Sequence, residues 1–405
     1  MKEGMQKSGC GPMSLATAMI VLIIACGISE VGYPEPFTEK EQEGIESPFR
    51  SVCCVSGFVY PSGFDWYEDL SEKDARCSLV VLADGVPKIK VPVGDGYEVS
   101  RDPDMHRVLD GNLYTFYSKD GKTVIRRNGA PLFRYDGDEI LVDMIARGED
   151  IYTLAHKRSG GGFSYRRNGN ILLERFSGET FGRLWSDGDS LCFAFIQPVA
   201  SASALENRYY VAYDSRAFHI QGPDRLERVW DIMSHKGAPC QLVSLKGIDD
   251  VMLVMETSNR RIEIPEGTVM LSCRMFPADS LIGVECLYEY PDGRRESGLW
   301  VNASEYMRFE SGASIQALKY SGGKAFCILN PDDEGGIIYD GGDLVRMPPE
   351  YFCIGNRILT VHEGKSYVAL SSRSGGFPVV WHEGQLDTLR INGCASSISF
   401  TDTYK

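Results

Sequence analysis

The run Phe64, Asp65, Trp66 and Tyr67 is the first place where residue types and spacing suggest binding chemistry. Aromatic faces beside a carboxylate suit stacking on a sugar ring or capture of a partner side chain. The alternative is structural, because large aromatic side chains usually bury their area, and Phe64 and Trp66 would then cover the edge of a strand. We prefer the structural interpretation and keep the four residues as a candidate binding cluster.

A second candidate group follows downstream, where Arg101, Asp102, Asp104 and His106 bring both signs of charge and an imidazole close together. Such a group can bind a polar ligand. It can also form a local network in which the charges serve only one another, and exposed ion pairs of that kind contribute little. We favour the local network and retain the four residues as binding candidates.

The sequence carries no recognised catalytic motif, and we predict no catalytic residue, metal site or cofactor. A Gly-x-Ser-x-Gly nucleophile turn and a His-Glu-x-x-His zinc pair are both missing. The acidic turn 330–336 lacks the alternating ligands of a calcium loop. With 56 Asp and Glu residues, two carboxylates could still meet in space as in a glycosidase, so that alternative stays open.

The balance of charge argues against a nucleic-acid partner. The formal net charge is −14 at pH 7, which repels phosphates unless basic residues are concentrated in one patch. The best basic pairs begin at Arg126 and Arg166, and we expect both pairs on solvated strand ends. We therefore predict no nucleic-acid binding.

A repeated unit must position these residues. GNLYTFYSKDGKTVIRRNGAPLF, from Gly111, is followed by GEDIYTLAHKRSGGGFSYRRNGNILL, from Gly148. Arg-Arg-Asn-Gly recurs 40 residues apart, at Arg126 and Arg166. Asn-Gly between alternating runs predicts a β-hairpin, since both turn positions need a positive φ. A unit of this kind at this period indicates one blade of an all-β array.

Comparable turns recur about every 43 residues through the chain. They begin at Asp84, Asn128, Asn168, Asp214, Ser258, Asn302, Asp340 and His382. Four antiparallel strands fit in each interval, which is the composition of a propeller blade. The sequence therefore predicts an all-β propeller with eight blades, with seven blades and one divergent unit as the alternative.

The two ends of the propeller domain, expected at residues 50–405, complement each other. The first unit, from about Arg50, lacks an innermost strand, and Ala395–Thr401 is a strand without a unit. Pairing them would close the ring and remove the open edges of a linear array. Alternation then places the loops between second and third strands, and those between blades, on one face. The binding candidates fall on that face.

Four cysteines occupy the same strand of successive units. They are Cys192, Cys240, Cys286 and Cys327, each within an apolar run. We expect them to be small buried hydrophobic residues without disulfide bonds.

The amino-terminal region predicts a signal that directs the chain to a membrane. Lys2 and Lys7 precede an apolar run, Met13–Ala25, that is too short to span a bilayer but suits a secretory signal. Ile23-Ile24-Ala25-Cys26 resembles the bacterial lipobox, which implies cleavage before Cys26 and a lipid on its sulfur. Residues 1–25 would be the signal peptide and 26–49 a flexible acidic tether. A cleaved signal without lipid, or a poor membrane anchor, is the alternative.

With lipobox, tether and divergent blades together, the chain resembles the uncharacterised β-propeller lipoproteins common in Bacteroidota. It is also similar in layout to the eight-bladed lipoprotein scaffold of outer-membrane assembly, without blade sequences close enough to transfer residues. Ser118–Thr123 resembles the Asp-box turn of sialidase propellers, but it is one residue short and occurs once. These resemblances imply an extracytoplasmic, lipid-anchored protein, attached to the bacterial outer membrane, that binds or scaffolds a protein or glycan. A carbohydrate-active enzyme, hydrolase or lyase, with an axial carboxylate is the alternative.

Overall fold

The computed structural model describes residues 51–60, 77–93, 102–158, 161–200, 205–248, 250–256, 258–309, 314–330, 336–374 and 377–401. The predicted signal peptide, the acidic tether and the lipidation candidate Cys26 lie outside these ranges. Within them, no helix is long and apolar enough to cross a membrane. The helical structure described near the candidate residues is a single 3-10 turn at Pro103–Met105.

The described chain forms eight antiparallel sheets of four or five strands, arranged as the blades of a β-propeller. Blades one to four contain β1 (Val52–Val59), β2 (Ser78–Ala83), β3 (Val86–Pro92), β4 (His106–Leu109), β5 (Asn112–Lys119), β6 (Lys122–Arg127), β7 (Ala130–Asp136), β8 (Glu139–Arg147), β9 (Asp150–Lys157), β10 (Phe163–Arg167), β11 (Asn170–Arg175), β12 (Glu179–Thr180), β13 (Trp185–Asp187), β14 (Ser190–Ala200), β15 (Leu205–Tyr213) and β16 (Arg216–Ile220). Blades five to eight contain β17 (Leu226–His235), β18 (Ala238–Leu245), β19 (Val251–Met255), β20 (Ser258–Ile262), β21 (Val269–Ala278), β22 (Leu281–Glu289), β23 (Arg295–Val301), β24 (Ser304–Phe309), β25 (Ser314–Ser321), β26 (Lys324–Asn330), β27 (Ile337–Asp340), β28 (Leu344–Arg346), β29 (Tyr351–Phe352), β30 (Leu359–His362), β31 (Lys365–Ser372), β32 (Val379–His382) and β33 (Gln385–Thr388). The prediction of eight blades is confirmed.

The ring is closed by the last strand, β34 (Gly393–Thr401), which pairs with β1 in the first blade. The pairing is antiparallel and runs from Val52 opposite Thr401 to Val59 opposite Gly393. β34 supplies the innermost strand that the first blade lacks in sequence, so the predicted closure is confirmed. β1 is thereby paired on both sides, with β2 and with β34, instead of leaving an open edge.

The repeated Asn-Gly turns form the same structure in successive blades. Asn128 and Asn168 both have a φ of 51°, and each is followed by a glycine. The side-chain oxygen of Asn128 accepts a hydrogen bond from the backbone N–H of Leu113, and that of Asn168 from Ile151, each at 2.9 Å. The turn residue therefore also ties the outer hairpin to the second strand of its blade, which explains the preference for Asx at this position.

Three of the predicted turns are displaced. Ser258 begins β20 and pairs with Met255, so the turn precedes it. His382 ends β32, and the positive φ values belong to Glu383 and Gly384. Asp340 ends β27, and the positive φ belongs to Gly341. At Ser258 and His382 the sequence signal was wrong because neither turn begins with an Asx residue that marks its first position.

The buried core lies between the faces of successive sheets. Between blades three and four it is aromatic, with the rings of Phe163 and Phe195 4.9 Å apart and those of Tyr165 and Phe193 5.0 Å apart. Such pairs add to the stability that their buried area provides. This packing joins the facing sheets of blades three and four.

The cysteine expectation needs one correction. Cys192, Cys240 and Cys327 are buried free thiols, as expected. Cys286 forms a disulfide with Cys273, its partner on the neighbouring strand β21. The pairing was missed because a bulge between Met270 and Ser272 shifts the register and brings the two cysteines opposite each other.

Candidate functional site

The inner edge of the ring is formed by the first strand of each blade, because these strands contact one another in sequence. β17 contacts β21, β21 contacts β25, and β30 contacts both β25 and β34. In an antiparallel blade the loops between blades and those between second and third strands share one face, as predicted from alternation. Side chains on the first strands therefore lie closest to the ring axis.

The predicted residues before β4 are only partly described. Phe64, Asp65, Trp66, Tyr67 and Arg101 lie outside the described residues. Asp102 caps the 3-10 turn, where its Oδ1 accepts a hydrogen bond from the N–H of Asp104 at 2.9 Å. His106 is buried, and its ring lies edge-on to Phe58 with centroids 5.8 Å apart. Asp102 thus has a local capping role, and the segment serves chiefly to position the next residue, Arg107.

Arg107 is a buried guanidinium that directly follows the predicted candidate His106. Its Nη1 donates to the carbonyl oxygens of Asp104 at 2.6 Å and His106 at 2.7 Å. Its Nε lies 3.7 Å from Oδ1 of Asp143 in blade three. Burial lowers the pKa of Arg107, and the neighbouring Asp143 opposes that shift. Arg107 connects the inner edges of blades two and three.

Asp143 is brought to the inner edge by a bulge between Leu141 and itself in β8. Its Oδ1 accepts the N–H of Met144 at 2.9 Å, and its Oδ2 accepts the N–H of Leu184 in blade four at 2.9 Å. Burial raises the pKa of the Asp143 carboxyl, and Arg107 opposes the rise. The carboxylate of Asp143 therefore links its own blade, blade three, to blade four.

Asp231 repeats this arrangement two blades later, again directly after a bulge. Its Oδ1 accepts the N–H of Ile232 at 2.8 Å, and its Oδ2 accepts the N–H of Met275 in blade six at 2.6 Å. Arg183, between β12 and β13, donates to the same Oδ2 at 2.7 Å. One aspartate and one arginine thus link three successive blades.

The contacts continue around the remaining blades. Arg274 bonds to Glu285 at 2.6 Å and donates to the carbonyl oxygen of Ile315 in blade seven at 3.3 Å. Burial raises the pKa of Glu285, and Arg274 opposes the rise. Gln316 donates to the carbonyl oxygen of Gly355 in blade eight at 2.7 Å.

Arg357 completes the series. Its carbonyl oxygen accepts the N–H of Ile398 in β34 at 3.0 Å. Its Nη2 lies 3.6 Å from Oδ1 of Asp143. Blades one and two separate blade eight from blade three, so this contact crosses the opening inside the ring. We call the set the axial ring: Arg107, Asp143, Arg183, Asp231, Arg274, Gln316 and Arg357.

In the axial ring the carboxylate oxygens are hydrogen-bonded, while two buried guanidinium N–H groups are not. The side chains of Arg183 and Arg357 are 25% and 32% exposed, against 18% for Asp143 and 4% for Asp231. Nη1 of Arg357 and Nε of Arg183 have no hydrogen-bond partner. Across the described ranges, no three His, Cys, Asp or Glu side chains converge as metal ligands. The arrangement suits contact with an anion.

The sequence did hold a signal for the two aspartates. Asp143 and Asp231 each interrupt an apolar run on a first strand, in Leu-Val-Asp-Met-Ile and Val-Trp-Asp-Ile-Met. A carboxylate in that context is buried, and a buried carboxylate needs donors. Nothing local marks Arg357, whose partner is more than two hundred residues away.

The predicted solvation of the repeated arginine pairs is corrected at one position. Arg166 is buried, bonds to the buried carboxylate of Glu139 at 3.0 Å and stacks 3.9 Å from the centre of the Tyr135 ring. The adjacent Arg167 is exposed, as expected. The twofold alternation of the strand puts neighbours on opposite faces, so one of the pair must face the next blade.

No family model and no curated protein matches this chain. Among solved structures, the chain is similar to the dihydro-heme d1 dehydrogenase NirN, with 11% identity and a TM-score of 0.49 over 89% of this chain and 77% of that one. The β-propeller domain of the Trilobed protease from Pyrococcus furiosus gives 12% identity and a TM-score of 0.44 over 71% and 97%. An acylaminoacyl peptidase from Pyrococcus horikoshii gives 9% identity and a TM-score of 0.43 over 69% of this chain and 50% of that one. The chain thus spans about half the length of this peptidase.

Proposed function

We propose that this chain is an extracytoplasmic, lipid-anchored propeller that binds a glycan or a protein at the face bearing the interblade loops. The observation that carries the proposal is the composition of the axial ring. Its carboxylates are engaged by backbone N–H groups and guanidinium groups, while Arg183 and Arg357 keep exposed surface. A ring with partly exposed guanidinium groups near its centre is suited to recognition of a ligand.

Two features support the extracytoplasmic placement. The lipobox-like Ile23-Ile24-Ala25-Cys26 predicts a lipid on Cys26, with the acidic tether between lipid and ring. The disulfide between Cys273 and Cys286 suits an oxidising compartment, since such bonds rarely persist in the cytosol. Attachment to the outer membrane follows from the resemblance to Bacteroidota lipoproteins.

The second candidate is a carbohydrate-active enzyme that uses an axial carboxylate. Burial raises the pKa of Asp143, which favours it, because a general acid must carry a proton in order to donate one. Against it, both oxygens of Asp143 and of Asp231 already accept backbone hydrogen bonds, one within the strand and one from the next blade. A carboxylate committed in this way is poorly placed to exchange a proton with substrate. We therefore rank binding first.

The binding function is tested by thermal shift of the full chain against neutral and acidic oligosaccharides, followed by an assay of product release for each ligand that stabilises it. Stabilisation without turnover supports the binding function. Turnover that Asp143→Asn abolishes supports the enzyme instead. If no oligosaccharide stabilises the chain, the glycan arm is rejected and a protein ligand remains.

The anchor is tested separately by labelling with radioactive palmitate in a bacterial host. Label should enter the wild-type chain and Cys10→Ala, whose cysteine precedes the predicted cleavage site, but not Cys26→Ala. Equal labelling of Cys26→Ala and wild type would reject the lipid anchor. It would leave the binding function to be judged by the oligosaccharide screen.

A further inference from the structure

We propose that the axial ring is an anion site that receives a carboxylate group of the ligand, with Arg357 as the contacting residue. This deepens the proposed binding function and rests on it. No part of the fold requires a guanidinium at this position for strand pairing, since Arg357 supports the seam through its backbone, which accepts the N–H of Ile398 and forms a bridge with Ser397. Its side chain is therefore available for another purpose.

The side chain of Arg357 is weakly held. Its contact with Oδ1 of Asp143 is 3.6 Å long, and its Nη1 donates no hydrogen bond. The side chain as a whole is about one-third exposed, while Nη1 itself is a buried N–H donor without an acceptor. A guanidinium in this state can turn toward a ligand without breaking a short hydrogen bond.

Two arginines share one aspartate at this point. Arg107 and Arg357 lie 3.7 and 3.6 Å from the same oxygen of Asp143. That oxygen is also committed to the N–H of Met144. The carboxylates of Asp102 and Asp104 belong to exposed residues, where solvent and salt screen their charges. Two guanidinium groups thus face one carboxylate, which leaves an excess of one positive charge when Asp143 is ionised.

One excess charge selects the class of anion. A carboxylate carries one negative charge and presents two oxygens in a plane, which a guanidinium matches with two parallel hydrogen bonds. A guanidinium also pairs with phosphate, which is why inorganic phosphate is a probe in the titration below, whereas a cation would be repelled by Arg107 and Arg357. A uronic acid unit of a glycan supplies such a carboxylate and agrees with the proposed function.

The test is a ligand-observed nuclear magnetic resonance titration of the full chain in detergent at low salt. The probes are sodium glucuronate, methyl glucoside as its uncharged counterpart, and inorganic phosphate. The variants are Arg357→Gln and the matched control Arg308→Gln, which removes the same charge from the outer strand β24, where Arg308 pairs with Glu305. Arg357→Lys retains the charge without the planar fork and serves if Arg357→Gln does not fold.

We expect glucuronate to bind the wild type and Arg308→Gln alike, and about tenfold or more weakly to Arg357→Gln, the loss of a charge-assisted pair. Arg357→Lys should be intermediate. Glucuronate binding that Arg357→Gln leaves unchanged overturns the axial site but leaves the proposed function intact. Preference for phosphate over glucuronate overturns the carboxylate assignment. If no oligosaccharide stabilises the chain while glucuronate binding depends on Arg357, the axial site is supported and the glycan-binding function is rejected.

Discussion

Gly57 of β1 lies directly against the backbone of Cys394 in β34, where the chain closes on itself. A Cβ atom at Gly57 would stand 2.0 Å from the carbonyl oxygen of Cys394. The register shifts between Ser56 and Gly57, and the two backbones approach closely at that bulge. Closure of the ring therefore depends on the absence of a Cβ atom at position 57 as well as on strand pairing.

Gly57→Ala should open this seam. The added methyl group meets backbone atoms that cannot turn aside, so we expect a loss of at least about 3 kcal/mol in the free energy of unfolding. Urea unfolding followed by circular dichroism measures it. Gly342→Ala is the matched control, because a Cβ there meets nothing within 4 Å. Equal midpoints for the two variants would contradict the role of Gly57.

Arg166→Met should destabilise the contact between blades two and three. It leaves Glu139, which is 2% exposed, without its charged partner, and breaking a buried pair costs about 3–5 kcal/mol. The control is Arg126→Met, which changes the equivalent residue of the preceding repeat, where the side chain is only partly buried. Urea midpoints should fall much further for Arg166→Met, and similar values would reject the buried-pair explanation.

The stability of the ring should depend on the ionisation of Asp143. Burial raises its pKa in the folded chain, so its contribution is greatest below the ordinary pKa of an aspartate and is lost as pH rises through the raised value. Asp143→Asn removes this titration. The free energy of unfolding of the variant, relative to wild type, should therefore improve as pH increases from about 4 toward neutrality.

Asp150→Asn provides a control of opposite sign. A hydrogen bond from Arg167 lowers the pKa of Asp150, so its contribution is present above the ordinary pKa of an aspartate and lost as pH falls. The free energy of unfolding of this variant should therefore approach that of wild type in acid. The same pH trend in both variants would contradict the assignment for Asp143.

The cysteines should differ in their reaction with iodoacetamide. Burial raises the pKa of Cys192 to about 12 and that of Cys240 to about 11, so neither should react in the folded chain at pH 8. Both should react once the chain is unfolded in urea. Cys273 and Cys286 should react only when a reductant is added to the unfolded chain. Peptide mass spectrometry distinguishes these cases, and labelling of Cys286 without reductant would exclude the disulfide.

The blade architecture was predictable because its signals are local. Asn128-Gly129 and Asn168-Gly169 set a turn that few other residues can adopt, and the alternation beside each turn sets the strands. The spacing of these turns then gave the number of blades, and the unmatched strand at the carboxyl terminus gave the closure with β1. Where the turn lacked an Asx residue, as near Ser258, the position was wrong by a few residues.

The axial ring could not be predicted in the same way. Bulges before Asp143 and Asp231 decide which side chains face the next blade, and a shift of one residue reverses the face of a strand. The same sensitivity hid the pairing of Cys273 with Cys286. The sequence by itself determined the repeat, the turns and the carboxyl-terminal strand that joins the first blade, because each follows from neighbouring residues. Only the closed ring brought Arg357 to Asp143, because that contact exists only when eight blades complete a circle.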